Sequence, residues 1–93
     1  MRFLDAEQVT AAAPMPQLLD AIDAAYRDVA AGRDRSPIRT RTSIGEGDMI
    51  LMPGWREGGE RASVKLVTYM AGNAAHGLPT IHAVVVVFDA ASG

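Results

Sequence analysis

Ninety-three residues, 48% hydrophobic and 22% charged, are enough for one small globular domain, too few for two, and too apolar for a disordered chain. A net charge of −2 offers no basic excess for nucleic acid or an anionic membrane, and the absence of cysteine excludes disulfides, a thiolate nucleophile and a cysteine-based zinc site. Asp5 and Glu7 interrupt any signal-peptide core, and the apolar run at residues 83–88 (AVVVVF) is far short of the ~20 residues of a membrane helix, so a cytoplasmic protein without a membrane partner is expected.

In chain order, residues 2–4 (RFL) read as a short strand. Asp5 then stands at an N-cap with Gln8 in capping-box spacing, which predicts a helix through about residue 12, ended by Pro14. Pro16 suits the first position of a second helix, where its missing N–H is harmless. Leu18, Leu19, Ile22, Tyr26 and Val29 recur at helical spacing, with Asp20, Asp23, Arg27 and Asp28 mostly on the other face, and Gly32 supplies a stop. RDRSP reads as a polar linker. From Ile38 alternating Arg and Thr predict a strand, GEGD a tight hairpin turn, and residues 49–52 a returning strand closed by Pro53 and Gly54. REGGER follows as a solvated loop. Residues 62–70 read as a third strand, residues 72–79 as a loop, and residues 80–88 as a fourth, most apolar strand. The expected fold class is α+β, with N-terminal helices packed on a largely antiparallel sheet. After the apolar strand comes DAASG, a turn that calls for a further partner strand. The expectation is therefore an incomplete domain, whose open apolar edge makes the isolated chain self-associating or poorly soluble.

Few residues carry candidate chemistry. Lys65, the one lysine, lies in SVKLVTY and shares its strand face with Ser63, Val67 and Tyr69. It is either an ammonium snorkelling to solvent or a point charge for a substrate carboxylate, carbonyl or imine. Arg39 and Arg41 point to one face of their strand, either as surface ion pairs or as forks for a carboxylate. Thr80 could bond a ligand at the mouth of the last strand or satisfy a turn. His82 shares its face but has no visible carboxylate partner, and His76 sits in a Gly/Asn/Ala loop; together they make a weak metal pattern, and no metal is expected. Trp55 serves as a core anchor or a pocket cover. There is no G-x-G-x-x-G in strand–turn–helix context, no P-loop and no nucleophile elbow. Taken alone, these residues give a small α+β domain with a possible anion-binding face.

In order, MRFLDAEQV, LLDAIDAAYRDVAAGR, SPIRT, ILMPGW, VKLVT and GNAAHGLPTIHAVVVVFDAASG resemble the ornithine cyclodeaminase/mu-crystallin family over essentially the whole chain. No single motif is diagnostic; LMP, VKLVT and GLPTIHAVVVVFDAASG at these spacings are specific together. The resemblance implies the N-terminal substrate-binding and dimerisation part of a two-domain enzyme whose Rossmann domain for NAD or NADP is absent from these residues. It implies hydride chemistry at the α-carbon of an amino or cyclic imino acid, by cyclodeamination or ketimine reduction, in a homodimer. By position, Arg39 resembles the family's carboxylate-binding arginine, Lys65 its active-site lysine and Thr80 its substrate-side threonine, with Arg41 a less suitable arginine because Arg39 has the better spacing to LMP. The chain alone is expected to be inactive. The alternative, within the same resemblance, is a non-catalytic mu-crystallin-like ligand-binding or dimerisation module.

Overall fold

A computed structural model describes all residues, 1–93, and the chain divides into two units, Met1–Gly32 and Arg33–Gly93. The first unit is helical. Helix α1 (Ala6–Ala12) begins at the expected capping box: the Asp5 carboxylate accepts the Gln8 N–H at 2.9 Å, and the Gln8 amide oxygen accepts the Asp5 N–H at 3.0 Å. Two otherwise orphaned donors are thereby satisfied, a feature that contributes about 1 kcal/mol to such a helix. Helix α2 (Met15–Ala30) starts one residue earlier than the sequence implies, so Pro16 occupies its second position rather than its first. That turn also lacks intrahelical N–H partners, so the ring is equally harmless there. Arg27 and Asp23 pair at 2.9 Å one turn apart, and Gly32 leaves the helix at φ 73°, a conformation that costs glycine little. Residues 2–4 form no strand: no other segment hydrogen-bonds to them as a ladder.

The second unit is an antiparallel sheet of five strands rather than four. Strands β2 (Thr40–Ile44) and β3 (Gly47–Arg56) form the hairpin, with Gly45 and Glu46 at its tip and Gly45 at φ 55°, as a two-residue turn with glycine in its first central position requires. Strand β2 thus starts two residues later than Ile38. Strand β4 (Arg61–Tyr69) pairs with β3 along its length, and β5 (Ile81–Asp89) pairs with β4 alone. The extra strand, β1 (Asp34–Arg35), lies in the supposed linker and pairs with Trp55 and Arg56. It is held by ion pairs Arg56–Asp34 at 2.8 Å and Arg35–Glu57 at 3.1 Å, so the charges that made RDRSP look solvated fasten it to β3.

Pro53 and Gly54 do not close β3, which continues to Arg56. On the side away from β4, the β2 ladder ends at Leu51 and the β1 ladder begins at Trp55, so residues between them owe that side no backbone bond. A residue without an N–H fits such a gap, as on an edge strand. The segment after β4 is not an irregular loop but a short 3-10 helix, Ala71–His76, closed by Gly77 at φ 69°. The Asn73 side chain donates to the Pro79 carbonyl at 2.8 Å, and the Met70 N–H donates to the Thr80 carbonyl at 2.8 Å, which delivers the chain into β5.

The observed class is α+β with an antiparallel sheet, as expected. No helix is long and apolar enough to cross a membrane. No side chain is fully buried, and in β5 Val84, Val85, Val87 and Phe88 are all exposed. The turn after β5 is built on Asp89, whose carboxylate accepts the Ala91 and Ser92 N–H groups and the Ser92 hydroxyl.

Candidate functional site

Residues directly opposite one another in an antiparallel ladder share a face, so the register sorts the candidates. Lys65 lies opposite Met52 on β3 and Val85 on β5, in the middle of the sheet. Thr40 pairs with Leu51, the last pair of the β2–β3 ladder, and Arg39 precedes it, one residue outside the strand. One row thus reads Met52, Lys65, Val85. With strands spaced by about 4.8 Å, Thr40 and Leu66, the chain neighbours of the two cations, stand roughly 10 Å apart across Leu51. The adjoining row on this face is Arg41, Ile50, Val67 and Ala83, and the next is Ser43, Asp48, Tyr69 and Ile81.

Arg41 and Arg39 differ in their situation. The Arg41 guanidinium is engaged by Asp48, whose carboxylate also accepts the Ser43 hydroxyl at 3.4 Å. The hydrogen bond donated by Arg41 holds the Asp48 carboxyl below its ordinary range and in turn raises the Arg41 guanidinium. Arg27, Arg35 and Arg56 likewise hold acids. Arg39 and Lys65 make no side-chain hydrogen bond or ion pair, and both are exposed. Two unneutralised cations, one of them opposite the apolar Met52, can take a small carboxylate with an apolar body: the charges bind the anion, and the thioether meets the rest.

Thr80 does not join them. It precedes β5, five residues from Val85, the partner of Lys65, and so roughly 17 Å away along the strand. His82 faces the other side of the sheet opposite Thr68, Trp55 stands on that side opposite Ala62, and His76 ends the 3-10 helix. No group of acidic or histidine side chains is placed to hold a metal ion. Asp48 was not singled out by the sequence, although its position across the hairpin from Arg41 and Ser43 was a readable signal. Met52 was hidden inside an apolar run, where only the register reveals it.

The lowered carboxyl of Asp48 has a measurable consequence. Its folded-state pKa lies below its unfolded value, so it adds stability above the ordinary carboxylate range and loses it as pH falls through the lower folded value. Asp89, lowered chiefly by the Ser92 hydroxyl, acts in the same direction. Thermal melts from neutral to acid pH should fall less steeply in Asp48→Asn than in the parent chain; parallel curves would show the pair to be energetically idle.

The whole chain, residues 1–93, matches the model of the ornithine cyclodeaminase/mu-crystallin family. The chain belongs to this family. It is 39% identical over 90 residues to Delta(1)-pyrroline-2-carboxylate reductase 2 of Burkholderia ambifaria, covering 96% of the chain and 28% of the relative. It is 38% identical, with the same coverage, to a Delta(1)-pyrroline-2-carboxylate/Delta(1)-piperideine-2-carboxylate reductase of Azospirillum brasilense. Among solved structures it resembles an archaeal alanine dehydrogenase dimer with bound NAD, at TM-score 0.86 and 27% identity over 95% of this chain and 27% of that one. It also resembles the Thermococcus litoralis Delta(1)-pyrroline-2-carboxylate reductase in complex with NADH and L-proline, at TM-score 0.78 and 26% identity over 85% of this chain and 25% of that one. The chain therefore spans little more than a quarter of these family members.

The residues present do not fit a dinucleotide. Neither helix follows a strand through a glycine-rich turn; α1 starts after Asp5 and α2 after Pro14, so no backbone cradle for a pyrophosphate is formed.

Proposed function

We propose that this chain supplies the substrate grip of an NAD(P)-dependent reductase of small cyclic imino acids, of the Delta(1)-pyrroline-2-carboxylate type. The observation that carries the reading is that Lys65, opposite Met52 in mid-sheet, and Arg39, one residue before β2, are both without an acidic partner. Arg39 fits the substrate carboxylate, because a guanidinium fork can meet both oxygens. Lys65 reaches the same carboxylate or the adjoining imine, where its positive charge favours the polarised C=N bond. Reduction of that bond places a hydride on the α-carbon and a proton on nitrogen, giving the cyclic amino acid. NAD or NADP is held by residues other than these. Arg41 is a poor alternative to Arg39, since Asp48 already engages it. Thr80 belongs to the proposal only as a residue at the border of the site, through its resemblance to the family's substrate-side threonine. A homodimer is part of the same reading, supported by the exposed apolar β5 and by the dimeric state of the archaeal structural relative.

The test is a reductase assay on the intact protein with Delta(1)-pyrroline-2-carboxylate and either NADH or NADPH, following loss of the reduced cofactor. Substrate-dependent oxidation of one of them with formation of proline is expected. Binding of a small carboxylate by folded protein with no oxidation of either cofactor would overturn the reductase reading in favour of a non-catalytic, mu-crystallin-like binder.

A further inference from the structure

We infer that Asp48 withholds Arg41 from the substrate and thereby restricts the site to substrates with a single carboxylate; this rests on the reading of the site given above. Arg41 and Lys65 lie on one face of the sheet, because Arg41 pairs with Ile50, Ile50 pairs with Val67, and Val67 stands two residues from Lys65 on β4. Two strand spacings across and two residues along put their backbones roughly 12 Å apart. Side chains as long as arginine and lysine can meet the two ends of a small dianion across that gap. The charge that a second carboxylate needs is therefore present on this face, and it is already engaged.

The engagement is firm. Asp48 lies on the same face as Arg41, two residues before Ile50, so the pair closes diagonally across the β2–β3 hairpin. The Asp48 side chain is 13% exposed and that of Arg41 67% exposed, so the acid is held in place while the guanidinium stays within reach of solvent. The second oxygen of Asp48 accepts the Ser43 hydroxyl at 3.4 Å, which fixes the carboxylate further. An acid tethered this closely competes at an effective concentration of about millimolar or above, which a dilute ligand does not match. Its charge also repels a second anion brought to the same face, and an interface selects against a partner by such a mismatch. A monocarboxylate meets neither obstacle, since Lys65 and Arg39 have no acidic partner.

The experiment measures kcat/KM of the intact protein for Delta(1)-pyrroline-2-carboxylate and for Delta(1)-pyrroline-2,5-dicarboxylate, which adds one anion to the same ring. It compares the parent with Asp48→Asn and with Asp48→Asn/Arg41→Gln. The parent should strongly prefer the monocarboxylate. Asp48→Asn should improve kcat/KM for the dicarboxylate about tenfold, mainly through KM, and leave the monocarboxylate within about twofold. Adding Arg41→Gln should cancel that gain, which a general loosening of the sheet would not do. Should Asp48→Asn not fold, Asp48→Ser, which also removes the charge, must show the same change. A parent that reduces both imines equally well, an Asp48→Asn protein with the parent preference, or a gain that survives Arg41→Gln overturns the role of Asp48 and leaves the reductase reading standing. A parent protein inactive on the monocarboxylate overturns the two together.

Discussion

Replacing Lys65 by methionine should lower kcat/KM for cyclic imine reduction by about a hundredfold in the intact protein. The estimate follows from the loss of one charge-assisted hydrogen bond, about 1.5–3 kcal/mol, at roughly tenfold in rate for each 1.4 kcal/mol. The upper end applies because Lys65 stands opposite the apolar Met52 and Val85 and no acid engages it. Methionine keeps the apolar stem, so stability should not change: Lys65 is exposed and makes no side-chain hydrogen bond or ion pair. Lys65→Arg retains the charge but presents a fork where a point donor stood, and it should recover only part of the loss. Steady-state kinetics beside a thermal melt separate the two effects. Unchanged kinetics in Lys65→Met would remove this side chain from the site.

The largest effect on stability should come from a residue with no side chain. Gly47 opens β3 at the hairpin, and a Cβ built there would collide with the Tyr69 carbonyl oxygen and the Met70 sulfur. The sulfur can swing away, but the carbonyl belongs to the backbone of β4 and cannot move without disturbing the β3–β4 ladder. Gly47→Ala should therefore cost about 2–3 kcal/mol, as overpacking against a rigid neighbour does. Two other glycines provide controls. Gly45→Ala meets open space but sits at φ 55°, so it should cost about 1 kcal/mol through strain alone. Gly72→Ala meets nothing and has no such backbone constraint, so it should be close to neutral. Chemical denaturation of the three variants ranks them; a Gly47→Ala protein as stable as Gly72→Ala would mean that the strands are not held this closely.

The candidate site was legible in part. Lys65 and Arg39 stood out as residue types, one as the single lysine and the other as an arginine two residues from a second one. What separates Arg39 from Arg41 is not readable from that pair. It rests on Asp48, which reaches Arg41 across the hairpin. Thr80 stood out at the mouth of the last strand, as a ligand or turn residue, and again through the family resemblance; the β4–β5 register sets it well away from Lys65.

The elements that the sequence determined by itself are those held by neighbours in the chain. The capping box needs only Asp5 and Gln8, the α2 pattern only a repeat every three or four residues, and the hairpin only Gly45 at its tip. In each, donor and acceptor lie within a few residues of each other, so residue order contains the geometry. The tertiary structure decided whatever depends on a partner distant in sequence. RDR became a strand because Asp34 and Arg35 met Trp55 and Arg56, and β3 ran on through Pro53 because the opposite side required no N–H there. RFL stayed unpaired for want of a partner ladder. The row Met52, Lys65, Val85 belongs to the same class, since it exists only once two separate ladders settle into register. A shift of one residue in either ladder would turn a member of that row to the opposite face.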